Sequence, residues 1–391
     1  GYVQRNREGR MTRDGGRISR RKVLGAAAAG LVPALGGCVG LSGDSSEPPG
    51  VFLALNLADG SKQWEQTYDN AIQSGAAVDE GTVYIGDDNG YLRALSREDG
   101  SEQWSFDTIS PAYVNPPEGG RTPSFVTTDV AMGAGAVYAC TDQASVLAVE
   151  AETGEERWRY TLESPYSNPG SFVSTIRATP AVVGDTVAFA WDDGSGTVSG
   201  VAAGSGNGRW ELSMEGSIDS GPATGENRFY IVDNVGNVRA VATDGETLWK
   251  GDVSGLTNGA VTAGGGSIYV GSEGIHALDA ETGEEQWVTT ERSWVDSGPV
   301  IGDESVFTTT RDGTVAAFDR DDGTERWSVE VGAEGDASPA LADGLVVSGD
   351  RNGRVVALDS SDGSEVWATG TEDLVTATPV VADGTVYIGT K

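Results

Sequence analysis

One histidine, His276, and two cysteines, Cys38 and Cys140, are the only side chains of their kinds in 391 residues. That leaves little for covalent chemistry. A Ser–His–Asp or Cys–His centre would have to be built around His276 alone. His276 sits in a strand-like run where most corresponding segments carry small or apolar residues, so packing is its expected role. Cys140 ends the apolar run Ala136-Val137-Tyr138-Ala139 and reads as a buried thiol. Two acidic groups, Asp87-Asp88-Asn89-Gly90 and Asp192-Asp193-Gly194, offer the hard oxygens that calcium takes. Both lie where Asp and Asn are expected as turn residues, and neither completes a metal loop. No catalytic residue and no metal site is expected.

The elements that would position any site come from a repeat. Tryptophans recur at Trp64, Trp104, Trp158, Trp210, Trp249, Trp287, Trp327 and Trp367, a period near forty residues with two insertions. Such a period marks stacked supersecondary units. Ala317-Phe318-Asp319 leads through Asp322-Gly323 to Trp327, and Ala357-Leu358-Asp359 leads through Asp362-Gly363 to Trp367. The Trp210 copy is degenerate, with Gly200 where alanine is usual. Each unit reads as four strands, A to D. In one copy these are Ala337–Leu341, Leu345–Ser348, Arg354–Leu358 and a strand carrying Trp367, joined by Asp-Gly turns. Four-stranded units repeated radially make a β-propeller.

The first C strand, Val51–Leu55, has no A or B strand before it, and the last unit ends after its B strand, Thr385–Gly389. The expectation is an all-β, eight-bladed propeller over residues 51–391. Its ring is closed by pairing the N-terminal C and D strands with the C-terminal A and B strands.

Composition narrows the partners. The chain holds 26 Lys+Arg against 59 Asp+Glu, a formal net charge of −33. Residues 1–38 carry +6 of that, which leaves −39 on the remainder. Such a surface repels phosphate backbones, so nucleic acid is excluded as a partner. Only four lysines occur, and an acidic, lysine-poor surface resembles that of proteins from extreme halophiles.

The N-terminus reads as an address. Arg20-Arg21-Lys22 precede an alanine-rich apolar stretch, Gly25 to Gly37, as in a twin-arginine export signal. Leu35-Gly36-Gly37-Cys38 resembles a lipobox, with Cys38 as the lipid-modified residue. Residues 1–38 are thus expected to be a lipoprotein signal and residues 39–50 a flexible tether. The propeller is expected on the outer face of the cytoplasmic membrane, held by its lipid.

The unit Ala-Leu-Asp-x-x-Thr/Asp-Gly-x-x-x-Trp resembles the pyrroloquinoline-quinone-type propeller repeat throughout residues 51–391. The resemblance implies that the eight repeat tryptophans pack between blades as structural docking groups. That family contains quinone-dependent dehydrogenases and non-enzymatic lipoproteins, including the propeller lipoprotein of the bacterial outer-membrane β-barrel assembly machinery. A dehydrogenase would need a vicinal cysteine pair, a stacking tryptophan, calcium and an Asp base. No adjacent cysteines exist here. The expectation is therefore a non-catalytic protein-binding propeller without cofactor. A quinone-dependent redox protein and a solute- or polymer-binding lipoprotein are the alternatives.

Binding is expected on one face. The insertions 108–126 and 163–176 both lie in D–A connections, and the two tryptophans outside the repeat, Trp191 and Trp294, fall in a B–C turn and a D–A connection. These connections emerge on the same side of a propeller, and loops on a rigid scaffold concentrate function. Just before the A strands stand Gln73, Thr127, Arg177, Asp219, Thr257, Asp296, Asp336 and Thr376. Arg177, Asp219, Asp296 and Asp336 are expected to ring the channel mouth on that face.

Overall fold

The computed structural model describes residues 50–109, 126, 128–142, 144–162, 176, 178–192, 196–257, 260–289, 294–295, 297–332, 337–371 and 373–391. Every regular element among them is a strand, and the strands form eight antiparallel four-stranded sheets. Seven sheets take their strands in sequence order. The eighth pairs Gly50–Asn56 and Lys62–Tyr68 with Thr385–Gly389 and Val380–Ala382, with Leu53 opposite Ile388. The two ends of the propeller thus share one blade, counted here as blade 1.

Blade 8 shows how the turns work. Its strands are Ala340–Ala342, Leu345–Gly349, Arg354–Asp359 and Glu365–Gly370. The A–B turn needs positive φ at two successive residues, and Asp343 (48°) and Gly344 (77°) supply them. The A strand is shorter than expected: pairing begins at Ala340, opposite Val347, instead of Ala337. Pro339 has no N–H to donate, so the ladder opens only after it.

Strands B and C are buried, whereas D is mostly exposed and forms the outer edge. Each A strand touches the A strand of the next blade around an unbroken cycle of eight. The apolar core divides into eight clusters, each shared by two adjacent blades. One joins Tyr138, Val146 and Trp158 of blade 3 to Val187, Phe189 and Val201 of blade 4. A blade therefore has no core of its own, and burial is obtained only by stacking.

The repeat tryptophans lock this stacking. Each indole Nε1 donates to a backbone carbonyl of the next blade, from Trp64 to Arg97 (2.9 Å) around to Trp367, which closes the ring on Leu57 (2.6 Å). Tyr84, Tyr138 and Tyr230 donate to the same carbonyls as Trp104, Trp158 and Trp249, at Ala151, Ala203 and Ala280. The C–D turn glycine of the receiving blade lies on the indole face. At Gly323 φ is +73°, and an added Cβ would stand 2.6 Å from the Trp287 ring. Gly and Trp are thus two halves of one joint. Gly200 has a related cause: a Cβ there would meet the Trp210 ring at 2.1 Å, so in blade 4 the indole occupies the space of the usual alanine methyl.

Candidate functional site

The A strands enclose an axial channel of about 780 Å³, lined mainly by Ala, Val, Thr, Ser, Gly and Pro. Its described charged groups are Asp129 and Asp219. Asp219 is exposed, as befits a position at the mouth. Arg177, Asp296, Asp336 and Thr127 lie outside the described residues.

Of the four residues expected to ring the mouth, the described one, Asp219, lines the channel; at the same register position in other blades the neighbouring B–C turns engage the side chain. Thr257 is buried and donates to the Asp233 carbonyl (2.9 Å), and the Gln73 amide bonds the Asp88 carboxylate. Thr376 Oγ1 is buried without a hydrogen-bond partner among the described residues.

Asp129 is the channel residue that sequence reasoning missed. It stands two positions after the expected ring, where Gly75, Gly221 and Gly298 stand in other blades. Lining up the repeats at that offset reveals it. Its Oδ1 accepts the Gly75 N–H at 2.5 Å, and desolvation pushes its carboxyl above the usual range despite that bond.

The face bearing the D–A connections is woven together by backbone hydrogen bonds. Asp88 N bonds Ala71 O (3.1 Å), Asn234 N bonds Ser217 O (2.8 Å) and Arg311 N bonds Trp294 O (2.9 Å). Each joins a B–C turn to an adjacent connection, so the loops form a supported surface. The insertions are anchored at their ends. Thr108 N bonds Gly90 O (2.8 Å), Val126 bridges Thr141, and Ile176 is buried. Residues 110–125 and 163–175 lie outside the described residues, as do Arg20, Arg21 and Cys38.

Trp294 lies in the connection from blade 6 to blade 7, half-buried, with the Arg311 guanidinium 5.9 Å from its ring centre. Trp191 is placed differently from expectation. It belongs to strand B of blade 4 (Thr186–Asp192), paired with Thr197, because that ladder runs further than its turn residues suggested. Its Nε1 donates to Ser199 Oγ (2.9 Å), and its ring packs against the cluster between blades 3 and 4. Trp191 is therefore partly committed to packing.

Three further apolar side chains are exposed on this face: Val235 (51%), Leu256 (60%) and Leu374 (42%). Thr257 N bonds Asn234 O (3.2 Å), which places Leu256 beside Val235. Single aliphatic residues in turns carry no sequence signal, so these too were missed.

The polar groups suspected of chemistry are engaged locally. His276 is buried, with Nδ1 2.8 Å from Glu285 Oε2. Cys140 is buried, and desolvation pushes its thiol far up. Asp87 accepts the N–H groups of Asn89 and Tyr91 and two bonds from the Arg93 guanidinium, which occupies its oxygens as a turn cap. Among the described residues no three His, Cys, Asp or Glu side chains are grouped as a metal would require. No helix among them is long and apolar enough to cross a membrane.

A family profile described as outer membrane protein assembly factor BamB matches residues 9–193, 194–310 and 311–391. The chain is 31% identical over 277 residues to the BamB of Yersinia pestis, which covers 68% of this chain and 66% of that relative's length. The crystal structure of BamB from Moraxella catarrhalis superposes with a TM-score of 0.56 at 16% identity, over 85% of this chain and 89% of that one. Quinohemoprotein alcohol dehydrogenase from Comamonas testosteroni superposes with a TM-score of 0.64 at 14% identity, over 87% and 76%. At these identities the two structures attest the fold alone.

Proposed function

Because the chain belongs to the outer membrane protein assembly factor BamB family, we propose that it is a non-catalytic envelope propeller that binds another protein on its D–A face. Its anchor is a lipid on Cys38. Trp294 carries this reading. It is a large aromatic side chain on a supported loop surface, half-buried, and its indole stands outside the eight that join blades. Aromatic anchors commonly supply about 2 kcal/mol or more to an interface. Exposed Val235, Leu256 and Leu374 extend the apolar character of the same face.

The donor chemistry of the channel argues against a quinone cofactor. Pyrroloquinoline quinone is a tricarboxylate and needs cationic partners. The charged groups among the described wall residues are Asp129 and Asp219, which would repel it. Cys140, buried in blade 3, has no second cysteine beside it. The described channel residues do not fit that group. A solute-binding role remains the second reading, favoured by the same two carboxylates and the hydroxyl-bearing wall, which suit a cationic or polyhydroxylated solute.

The test is partner capture from detergent-solubilised membranes. Trp294→Ala should weaken capture about tenfold or more and leave the melting temperature within about 2 °C of wild type. Asp321→Ala and Ser361→Ala, in exposed C–D turns of the opposite face, should leave capture unchanged. The reverse pattern places the binding surface on the wrong side. Cys38→Ser should release the protein from membranes; a variant bound and processed like wild type refutes the anchor.

A further inference from the structure

The repeat provides its own control for charge on the outer rim. In each blade the residue before the strand C alanine or glycine faces the residue after the strand D tryptophan. In seven blades that pair holds at most one charged side chain, as with Arg93 opposite Ser105 and Leu147 opposite Arg159. In blade 5 it is Arg239 opposite Lys250, two cations face to face. Like charges directly opposite on a sheet destabilise it.

Elsewhere the corresponding cations are neutralised within the chain. Arg93 pairs with Asp87 (2.9 Å) and Glu102 (2.7 Å), and Arg159 pairs with Glu156 (2.7 Å). Arg239 donates to the Ser213 carbonyl (3.0 Å), and Lys250 is exposed. Neither lies within ion-pair distance of a carboxylate among the described residues. In a chain of net charge −33, two adjacent cations with no acidic partner among the described residues are out of keeping with the other rim positions. Strand D (Thr247–Asp252) is also the outermost strand of its sheet, so one side of its backbone has no ladder partner. On the same strand Leu248 is 44% exposed.

We infer that strand D of blade 5 is a docking edge for an extended acidic segment of a partner polypeptide. Backbone pairing along the edge would supply affinity. A Glu or Asp of the partner would bridge Arg239 and Lys250, and an apolar residue would cover Leu248. The negative charge of the whole molecule does not forbid this. At molar salt the Debye length is ~3 Å, which screens the distant carboxylates far more than an ion pair at contact. This edge is separate from the D–A face, and its failure would leave the reading given there standing.

The test is fluorescence anisotropy with a labelled, short alternating glutamate–valine peptide, in about 1 M KCl, with the lysine–valine peptide as control. Wild type should bind the glutamate peptide and not the lysine one. Arg239→Gln/Lys250→Gln should weaken binding by about tenfold or more, and Lys250→Gln alone by a smaller factor. Because Lys250 is exposed, the single variant keeps the test valid should the double one fold poorly. Arg209→Gln removes a rim cation already paired with Asp185 and should change nothing. Absence of binding by wild type, equal binding of the two peptides, or undiminished binding by the Lys250 and double variants overturns the inference.

Discussion

At the scale of single residues, carboxylates of one chemical type do opposite things to stability. Asp319 is held below the usual carboxylate range by the Arg326 guanidinium and by backbone N–H bonds, and Asp279 is held low chiefly by Thr282. Such groups support the fold above the ordinary carboxylate pKa, and their contribution is lost as pH falls through the depressed value. Asp129 has the contrary sign. Desolvation raises its pKa, so the folded protein binds that proton more tightly than the unfolded chain does. Its share of stability therefore falls as pH rises from the ordinary value through the raised one. Asp129→Asn keeps an oxygen for the Gly75 N–H and removes the charge. At neutral pH this variant should be more stable than wild type, with a higher melting temperature. Below both pKa values the difference should vanish. Thermal melts at pH 7 and pH 3 check this, and a variant less stable than wild type at pH 7 would contradict it.

At the scale of elements, the joint between blades is the unit of stability. Gly323→Ala places a Cβ against the Trp287 ring at a backbone angle that L-residues rarely adopt. Strain and overpacking together should cost about 2–4 kcal/mol. Gly204→Ala is the control, because a Cβ there meets nothing within 4 Å, and it should change stability by no more than about 0.5 kcal/mol. Trp287→Phe retains a ring but leaves the Arg320 carbonyl without its donor, at a cost of about 1–3 kcal/mol. Urea unfolding of the three variants measures these values. If Gly323→Ala and Gly204→Ala behave alike, the glycine–indole contact has no structural weight.

At the scale of the whole molecule, closure and charge oppose each other. Closure removes the two ends that an open stack of blades would expose. The shared blade pairs Phe52 with Gly389, and Trp367 of blade 8 bonds Leu57 beside it. Against this works a net charge of −33, the excess of 59 Asp+Glu over 26 Lys+Arg. Salt shortens the Debye length from about 10 Å at 0.1 M to about 3 Å at 1 M and weakens that self-repulsion. The melting temperature should therefore climb steeply between dilute buffer and molar KCl, by about 10 °C or more. Circular dichroism decides it, and coincident melting curves would show that the charge is accommodated without salt.

The architecture was legible in the residues because it is periodic. Eight tryptophans at a common spacing, Asp-Gly turns at fixed offsets and complementary half-blades at the two ends specify blade number, strand order and the closing pair. Local chemistry suffices for that: a turn glycine or a strand proline acts on its own neighbourhood, and the period multiplies the signal. The site was less legible. Arg177, Asp219, Asp296 and Asp336 share a register position; of these Asp219 is described and lines the channel, whereas at the same position in other blades the adjacent B–C turn takes up Gln73 and Thr257. The length of a ladder, not the turn composition, put Trp191 inside a strand. Asp129 became a channel group, and Arg239 with Lys250 a pair of facing cations, only once blades were curved around an axis and strands set in register. Those relations join residues distant in sequence or alike in type to their neighbours, and so they exist only in the folded ring.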